Sequence, residues 1–529
     1  MDRISSSAHK IDETLPLLEN GDGAPKASFR RPRHSRATSA VSITSINVPK
    51  ARDPDTIVAI ACAVIFVLSG SGGFFTIPMT RILEDRFCRE YYDSISSSPG
   101  PIDEELCKVD VVQSRLAYLF ALNSFVGALL GCFVAMPWGL VADRLGRRPV
   151  FVLGLIGMTL ETIWQIAVGW FGDALPIRLY CLGPLAIIIG GGNAVLNGTM
   201  CSLMSDVLPE ADRAIGFMRV HIASMLGNLC SPMISSVMMP RVGPWPLLWL
   251  SVVLGTLPAA GILFVPETLT TKAAATEDHG DLRPDLQFSA RLSRSLVELR
   301  DSLSMLKNLS VILLLFGSIT LTPVILCTLQ FLSQYVSKRY HVKLAYTGYV
   351  QGAYGGAHIL FILFIIPYAS KLVLRSNSPK WIRMANEQQR DLAFLKGSFV
   401  AVVLGTFVMS VSPSLPVFVC GLFVLALGSG AGSYIPSTLA FYIDKEHRTR
   451  MFSLVGIVQV MGSLYAEPML AGLFTLGMRI GGIWIGLPYL GVAVLCGVAF
   501  LLLRFVRLPR ECDRGNSEYH RTASDEIVP

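Results

Sequence analysis

The stretch that decides the fold is GLVADRLGRRP, residues 139–149, which places one acid and three arginines between long apolar runs. Phe133 and Val134 precede it, and VFVLGLIGM, residues 150–158, follows it. Charged side chains are unfavourable inside a bilayer but tolerated at its surface, where arginines also fix the orientation of the chain. If the flanking runs cross a membrane, this stretch is a short loop at one membrane surface.

The composition of the chain is that of a membrane protein. The 529 residues are 52% hydrophobic and only 16% charged, whereas soluble proteins have about a quarter of their residues charged. Runs of about 20 apolar residues are long enough to cross the hydrocarbon core as a helix. Such runs lie near 55–77, 116–138, 149–171, 179–203, 214–237, 246–265, 309–332, 346–370, 393–412, 416–442, 450–475 and 482–506.

The runs fall into two groups of six, and the groups resemble each other. SDVLPEADRAIGFMRVHIASMLGNLCSP at 205–232 and FYIDKEHRTRMFSLVGIVQVMGSLYAEP at 441–468 carry an acid, an Arg, a Phe, a Gly and a Pro in the same order. Internal similarity of this kind is typical of transporters in which two related halves flank a pathway. The sequence therefore predicts an all-α membrane protein with 12 transmembrane helices in two pseudo-symmetric six-helix bundles. The predicted parts are a disordered N-tail (1–54), the first bundle (55–265), a linker (266–308), the second bundle (309–506) and a C-tail (507–529).

Charge predicts the orientation of these helices. Most of the 45 Lys and Arg residues fall on the side that holds the N-tail, which the positive-inside rule assigns to the cytoplasm. Both tails and the linker are then cytoplasmic, and the net charge of +7 reflects topology, so no nucleic-acid partner is needed to explain it. Glu13, Leu17 and Leu18 in ETLPLL have the spacing of an acidic dileucine sorting signal. We expect the plasma membrane, with the vacuolar membrane as the alternative.

The stretch at 139–149 lies between the second and third apolar runs, and this position together with its residue pattern makes it recognisable. It resembles the loop signature Gly-x-x-x-Asp-Arg-x-Gly-Arg-Arg of the major facilitator superfamily, and VPETL at 265–269 resembles the end of the sixth helix in that family. The resemblance covers roughly residues 55–506 and implies the MFS fold, with a gating charge network at the cytoplasmic surface. Simple anchoring at the interface is the alternative. The implied gating residues are Gly139, Asp143, Arg144, Gly146, Arg147 and Arg148, with Asp206, Arg213 or the start of the eleventh helix as partners.

A second resemblance lies in the loop predicted between the first two helices. LEDRFCREYY at 83–92 is similar to a Glu-x-x-x-Cys-x-x-Tyr-Tyr run in a fungal branch of the superfamily, distantly related to tetracycline exporters and proton-coupled folate transporters. This resemblance implies efflux of a secondary metabolite or toxic compound. Cys88 and Cys107 face the oxidising side and are candidates for a disulfide, whereas the other cysteines lack metal-ligand spacing. No metal or cofactor is expected.

Ionisable and amide side chains inside the spans are candidates for the transport chemistry. A buried carboxyl or imidazole that takes up a proton on one side and releases it on the other couples transport to a proton gradient. The alternative for each is a polar group that only packs helices together. The proton-coupling candidates are Glu161, His358, Glu467 and Arg219. The substrate-cavity candidates, for a bulky and partly polar organic molecule, are Asn123, Asn193, Asn197, Gln351 and Gln459.

Motifs typical of membrane enzymes and ATP-driven pumps are absent from the sequence, which limits the functions that we consider. The sequence has no His-Glu-x-x-His, no Gly-x-Ser-x-Gly and no phosphate-binding Gly-x-x-x-x-Gly-Lys-Ser/Thr, so neither a membrane enzyme nor an ATP-driven pump is indicated. We expect a secondary active transporter that works as a monomer in the bilayer, with a small molecule and protons as its partners. Proton-coupled efflux is the favoured direction. Proton-coupled uptake of a nutrient and a non-transporting receptor on the same fold are the alternatives.

Overall fold

The computed structural model describes residues 53–95, 103–172, 174–209, 213–267, 308–374, 387–442 and 448–508. Within these ranges the chain is helical, no residue lies in a strand, and twelve segments are long and apolar enough to span a membrane. The predicted all-α fold with 12 transmembrane helices is confirmed. Most of both predicted tails and of the linker, including the sorting-like residues Glu13, Leu17 and Leu18, lie outside the described residues.

We call the part of the chain up to residue 267 the N-half and the part from residue 308 the C-half; the described residues of the N-half form six α-helices and those of the C-half form nine. The N-half contains α1 (Pro54–Asp93), α2 (Asp110–Leu145), α3 (Arg147–Trp170), α4 (Gly192–Val207), α5 (Arg213–Val242) and α6 (Pro244–Leu263). The C-half contains α7 (Leu309–Leu329), α8 (Phe331–Tyr340), α9 (Leu344–Leu360), α10 (Ile366–Leu374), α11 (Glu387–Val411), α12 (Leu415–Leu427), α13 (Ala431–Leu439), α14 (Arg448–Ile480) and α15 (Leu487–Leu503).

The helix α2 defines two ends of the bundle. It has 36 residues and is about 54 Å long at 1.5 Å per residue. A disulfide between Cys88 and Cys107 lies next to its start, and the stretch 139–149 lies at its end. We call these the disulfide end and the motif end.

The first helix is longer than its sequence predicts. The apolar run suggested a span near 55–77 followed by a loop, but α1 continues to Asp93 and has 40 residues, so LEDRFCREYY is helical and the loop prediction was wrong. No glycine or proline follows Pro78 within this segment. Ion pairs between Arg81 and Glu84 and between Arg89 and Asp85 have the helical spacings that favour continuation.

The fourth span is broken where the sequence predicts one continuous helix at 179–203. Residues Ile177–Ile188 form 3-10 turns, and Gly190 and Gly191 follow with φ angles of +82° and +81° before α4 begins at Gly192, whose φ angle is +61°. A Cβ atom at Gly190 would overlap the backbone of Gly154 in α3. The three glycines therefore allow both a left-handed backbone and a close approach between the fourth span and α3.

The eighth span is interrupted as well. Its apolar run predicts one helix near 346–370, but a π-helical turn at Phe361–Ile365 separates α9 from α10. Turns of this type insert one extra residue per turn and rotate the following segment relative to the preceding one.

The two halves meet most extensively along two helix pairs, α5 with α9 and α2 with α14. On α9 the contact face contains Gly348, Gly352 and Gly355, and a Cβ at any of them would overlap atoms of α5, such as Ser236 and Met233. Small residues at such spacing let helix backbones come close together. We call these three residues the glycine face of α9.

Candidate functional site

A cavity of about 370 Å³ lies between the two halves. The N-half lines it with residues of α1, α2, α3 and α6, and the C-half adds Gln330, Phe331, Gln334 and residues of α14. We call this space the central cavity. Two of the predicted coupling residues, Glu161 from α3 and Glu467 from α14, line it together.

Glu161 belongs to a row of polar side chains on the N-half wall of the central cavity. The Gln165 Nε2 atom lies 3.4 Å from Glu161 Oε1 and 3.2 Å from Asn123 Oδ1. Glu161 and Gln165 share one face of α3 because they are four residues apart. The predicted cavity residue Asn123, from α2, completes the row.

Glu467 faces the central cavity from the opposite half. Its Oε1 atom is buried and has no hydrogen-bond partner among the described residues, and the Ser124 hydroxyl of α2 lies beside its carboxyl group. Among the described residues that line this cavity there is no Lys, Arg or His. The cavity therefore presents two carboxyl groups with no basic side chain in its described lining.

A second cavity of about 290 Å³ lies between α5 and the C-half. It is mostly apolar, and its polar lining includes the predicted residues Gln351 and His358 together with His221. The Gln351 amide donates to the Leu329 carbonyl over 3.1 Å. The His358 ring centroid lies 5.6 Å from that of Tyr354, and its Nδ1 atom is buried without a partner among the described residues. His358 is thus separated from Glu161 and Glu467.

The other predicted site residues line neither of these two cavities. Asn193 and Asn197 lie on the exposed side of α4 and contact each other over 3.3 Å, and Gln459 is exposed on α14. Arg219 is 56% exposed and lies 3.8 Å from Asp55 near the motif end. Its position on the surface of α5 keeps it apart from the two carboxyl groups.

At the motif end, a carboxylate binds the start of α3. Gly146 has a φ angle of +102°, and the backbone N–H groups of Arg147 and Arg148 donate to Glu267 over 3.0 and 3.2 Å. A Cβ at Gly146 would lie 2.7 Å from the Glu267 carboxyl carbon, so glycine leaves the space that the carboxylate occupies. An anion at a helix N-terminus is favoured by both the free N–H groups and the helix dipole.

Arg147 also connects the motif to the fourth span. Its Nη1 atom lies 2.7 Å from Asp206 Oδ2, and Asp206 is one of the partners that the resemblance suggested. Gly139 is exposed, with no atom near the position of a Cβ. The side chains of Asp143, Arg144 and Arg213 lie outside the described residues. Sequence reasoning missed Glu267, although its place in VPETL was the available signal.

Replacing Glu267 with Ala should lower the free energy of unfolding by about 1.5–3 kcal/mol, because two N–H groups at the start of α3 lose a charged acceptor. Thermal unfolding of the purified protein in detergent measures the change. Glu267→Gln is the matched control and should give a smaller loss, since one amide oxygen still accepts a hydrogen bond. Equal stability of Glu267→Ala and the unmodified protein would contradict the capping role.

Comparison with known proteins adds three findings. The profile of the Major Facilitator Superfamily matches residues 113–441. The MFS efflux pump atnC of Emericella nidulans is 27% identical over 442 residues, which cover 82% of this chain and 84% of that protein. The efflux pump ustT of Aspergillus flavus is 25% identical over 466 residues, which cover 85% and 88%.

The solved structures agree on the fold. The crystal structure of a D-xylose-proton symporter superimposes with a TM-score of 0.56 at 13% identity, over 84% of this chain and 98% of that chain. At this identity the likeness concerns the fold alone. The suggested distant relation to tetracycline exporters and folate transporters is not tested by these comparisons and stays a prediction.

Proposed function

The chain belongs to the major facilitator superfamily, and from that premise we propose that it exports a small organic molecule by alternating access, driven by protons that move the opposite way. Membership makes it a multi-pass membrane transporter. The observation that carries the finer proposal is the central cavity, which both halves build and into which both place a carboxyl group. Two relatives that match most of the chain are efflux pumps, which supports export.

The lining of the central cavity supports a class of substrate. Its volume of about 370 Å³ lies within the range of sites for drug-sized molecules. Aromatic rings such as Phe75, Phe120 and Phe331 alternate with hydroxyl and amide groups, a mixture that suits a partly polar organic compound. An anion would meet two carboxyl groups and no basic side chain among the described lining residues, so a neutral or cationic molecule is favoured.

Proton coupling is assigned to Glu161 and Glu467. Each sits on the wall of a cavity that both halves form, so a rocking motion of the halves exposes the carboxyl groups first to one side of the membrane and then to the other. A carboxyl group that is protonated on one side and deprotonated on the other moves one proton per cycle. His358 lies in the second cavity and Arg219 on the surface, which makes them weaker candidates.

Orientation follows from the chemistry of the two ends. Disulfides persist in oxidising compartments, so we assign the disulfide end to the exterior or to a vacuolar lumen, and the arginine-rich motif end to the cytoplasm. Both tails and the linker at 266–308, which joins the bundles at 55–265 and 309–506 in sequence, are then assigned to the cytoplasm. We assign the protein to the plasma membrane. One chain builds the whole cavity, which favours a functional monomer.

The direction and the cargo are tested together by mass spectrometry of small molecules in cells and medium. A strain that carries the gene is compared with one that lacks it. We expect at least one compound to accumulate inside the strain without the gene, and we expect a protonophore to cause the same accumulation in the strain with the gene. A compound left in the medium of the strain without the gene would favour uptake. No change in any compound would contradict transport and favour a receptor.

A further inference from the structure

The described part of the connection that leads into α2, residues 103–110, contains a 3-10 helix at Glu104–Lys108 and is held in place by buried covalent and ionic contacts. The Cys88–Cys107 disulfide joins this segment to α1, and both cysteines are fully buried. Next to it, the Lys108 Nζ atom lies 2.6 Å from Glu84 Oε1, and this pair is also buried. We call residues 103–110 the stapled turn.

Further contacts within the N-half complete the surroundings of Glu84. The Gln113 Nε2 atom donates to Glu84 Oε1 over 2.6 Å, and Arg81 Nη1 lies 3.2 Å from Glu84 Oε2. Arg81 also lies 3.5 Å from Glu104 in the stapled turn. Both oxygen atoms of the buried carboxylate therefore have partners on the N-half itself, so the stapled turn does not need the C-half to stay in place.

The C-half docks on the stapled turn through α8 and the start of α9. The Gln334 Nε2 atom donates to the Gln113 carbonyl over 2.8 Å. Lys338 Nζ lies 2.6 Å from Asp110 Oδ1 and donates to the Lys108 carbonyl. The Leu344 N–H group donates to Glu104 over 2.8 Å.

We propose that the stapled turn is the fixed half of a gate at the disulfide end, that α8 is its moving half, and that Gln334 and Lys338 are the latch. This proposal rests on the proposed transport function. Gln334 lines the central cavity as well as contacting Gln113, so the latch closes the cavity toward the disulfide end. When it opens, the cavity connects to the exterior.

The two sets of contacts differ in strength, which determines where the gate opens. Glu84 and Lys108 are buried, with side chains 1% and 4% exposed, whereas Asp110, the partner of Lys338, is 54% exposed. Exposed ion pairs are weak because water screens them, and the buried hydrogen bonds between Gln334 and Gln113 join neutral groups, which bind less strongly than charged ones. A buried pair resists separation because each charge would be left without a partner. The halves therefore separate between α8 and the stapled turn.

The disulfide has a defined role in this gate. Cys88 follows Glu84 by one helical turn, and Cys107 is adjacent to Lys108, so the same covalent bond flanks both members of the buried pair. When α8 leaves, the bond keeps Lys108 against Glu84 and preserves the surface on which α8 docks again.

Access to the central cavity from the exterior tests the gate. A Thr76→Cys change places a thiol on the cavity wall, and a membrane-impermeant maleimide is applied to intact cells. Peptide mass spectrometry follows the introduced thiol and separates it from the native cysteines. With Gln334→Ala and Lys338→Ala added, we expect labelling about tenfold faster, because hydrogen bonds that hold the closed state are lost. Asp110→Asn, which weakens one contact, should give a smaller increase.

Arg89→Ala is the matched control, because it removes an ion pair with Asp85 at the same end but within α1. It should leave the labelling rate unchanged. The gate would be overturned if the latch variant were labelled no faster than the protein with Gln334 and Lys338 in place. It would also be overturned if Arg89→Ala increased the labelling rate as much as the latch variant does. Cys88→Ser combined with Cys107→Ser tests the staple and should also speed labelling; an unchanged rate would overturn the role of the disulfide.

Labelling uses no transported compound, so it separates the two proposals. Faster labelling in a protein that exports nothing would refute the proposed function and support the gate. Normal export with unchanged labelling in the latch variant would refute the gate alone. Asp110→Asn keeps the disulfide and the buried pair, so it provides a result even if the cysteine variants fail to reach the membrane.

Discussion

Glu161→Gln is expected to abolish the dependence of export on a pH gradient and to reduce gradient-driven export at least about tenfold, a change equivalent to about 1.4 kcal/mol. Glutamine keeps the size of the side chain and its contact with Gln165, but it cannot carry a proton. The substitution therefore removes the coupling step and leaves the shape of the central cavity intact. Export of the compound identified by mass spectrometry is measured in membrane vesicles with and without an imposed gradient.

Two further variants make this experiment specific. Glu467→Gln tests the second carboxyl group of the same cavity and should show the same loss if both are needed. Glu90→Gln removes an exposed carboxylate of α1, 62% exposed and paired only with Arg115 among the described residues, and should export normally. Gradient dependence that survives in Glu161→Gln would reject Glu161 as the coupling residue.

Gly190→Ala is expected to remove most of the folded protein. The residue has a φ angle of +82°, where an alanine is strained by about 1–2 kcal/mol. Its Cβ would also overlap the backbone of Leu153 and Gly154 in α3, and overpacking of this kind adds about 1–3 kcal/mol. Backbone atoms cannot move aside as a flexible side chain does, so α3 and the fourth span would have to separate. The yield and the thermal unfolding of the detergent-solubilised protein measure the effect.

Gly198→Ala is the matched control for this change. Gly198 lies in α4, eight residues later, and no atom lies within 4 Å of the position of its Cβ. Alanine is a better helix former than glycine by about 1 kcal/mol, so this variant should be as stable as the unmodified protein or slightly more stable. Equal stability of the two alanine variants would contradict the explanation given for the break at Gly190.

The sequence allowed the number of helices to be predicted because the bilayer selects apolar runs of nearly constant length. Hydropathy carries less information about backbone geometry. Ile177–Ile188 and α4 read as one apolar run, yet the α-helix is broken at the three glycines, the first of which packs against α3. The end of α1 was mistaken for a loop because charged residues lower hydropathy even where ion pairs at helical spacing stabilise a helix.

The candidate site was predictable in parts. Glu161 and Glu467 were identified individually, since carboxyl groups are rare inside spans. Their convergence on one cavity depends on how the two halves pack, and neither helix contains that information. Asn193 and Gln459 carry amide side chains within apolar spans, as Asn123 does, but the side of a helix that faces the cavity is set by its neighbours. Glu267 was overlooked because VPETL marked only the end of the sixth helix, and the backbone N–H groups that bind this carboxylate cannot be identified from residue types.

The glycine face of α9 has a mechanical consequence. Where helices interlock through large side chains, a change in their crossing angle requires each side chain to leave one groove and enter another, which creates energy barriers. Gly348, Gly352 and Gly355 offer no such side chains to α5, so only the side chains of α5 have to move when the crossing angle changes. We expect the pair of α5 and α9 to act as a hinge axis, and we expect the energy barriers to rotation about this axis to be low.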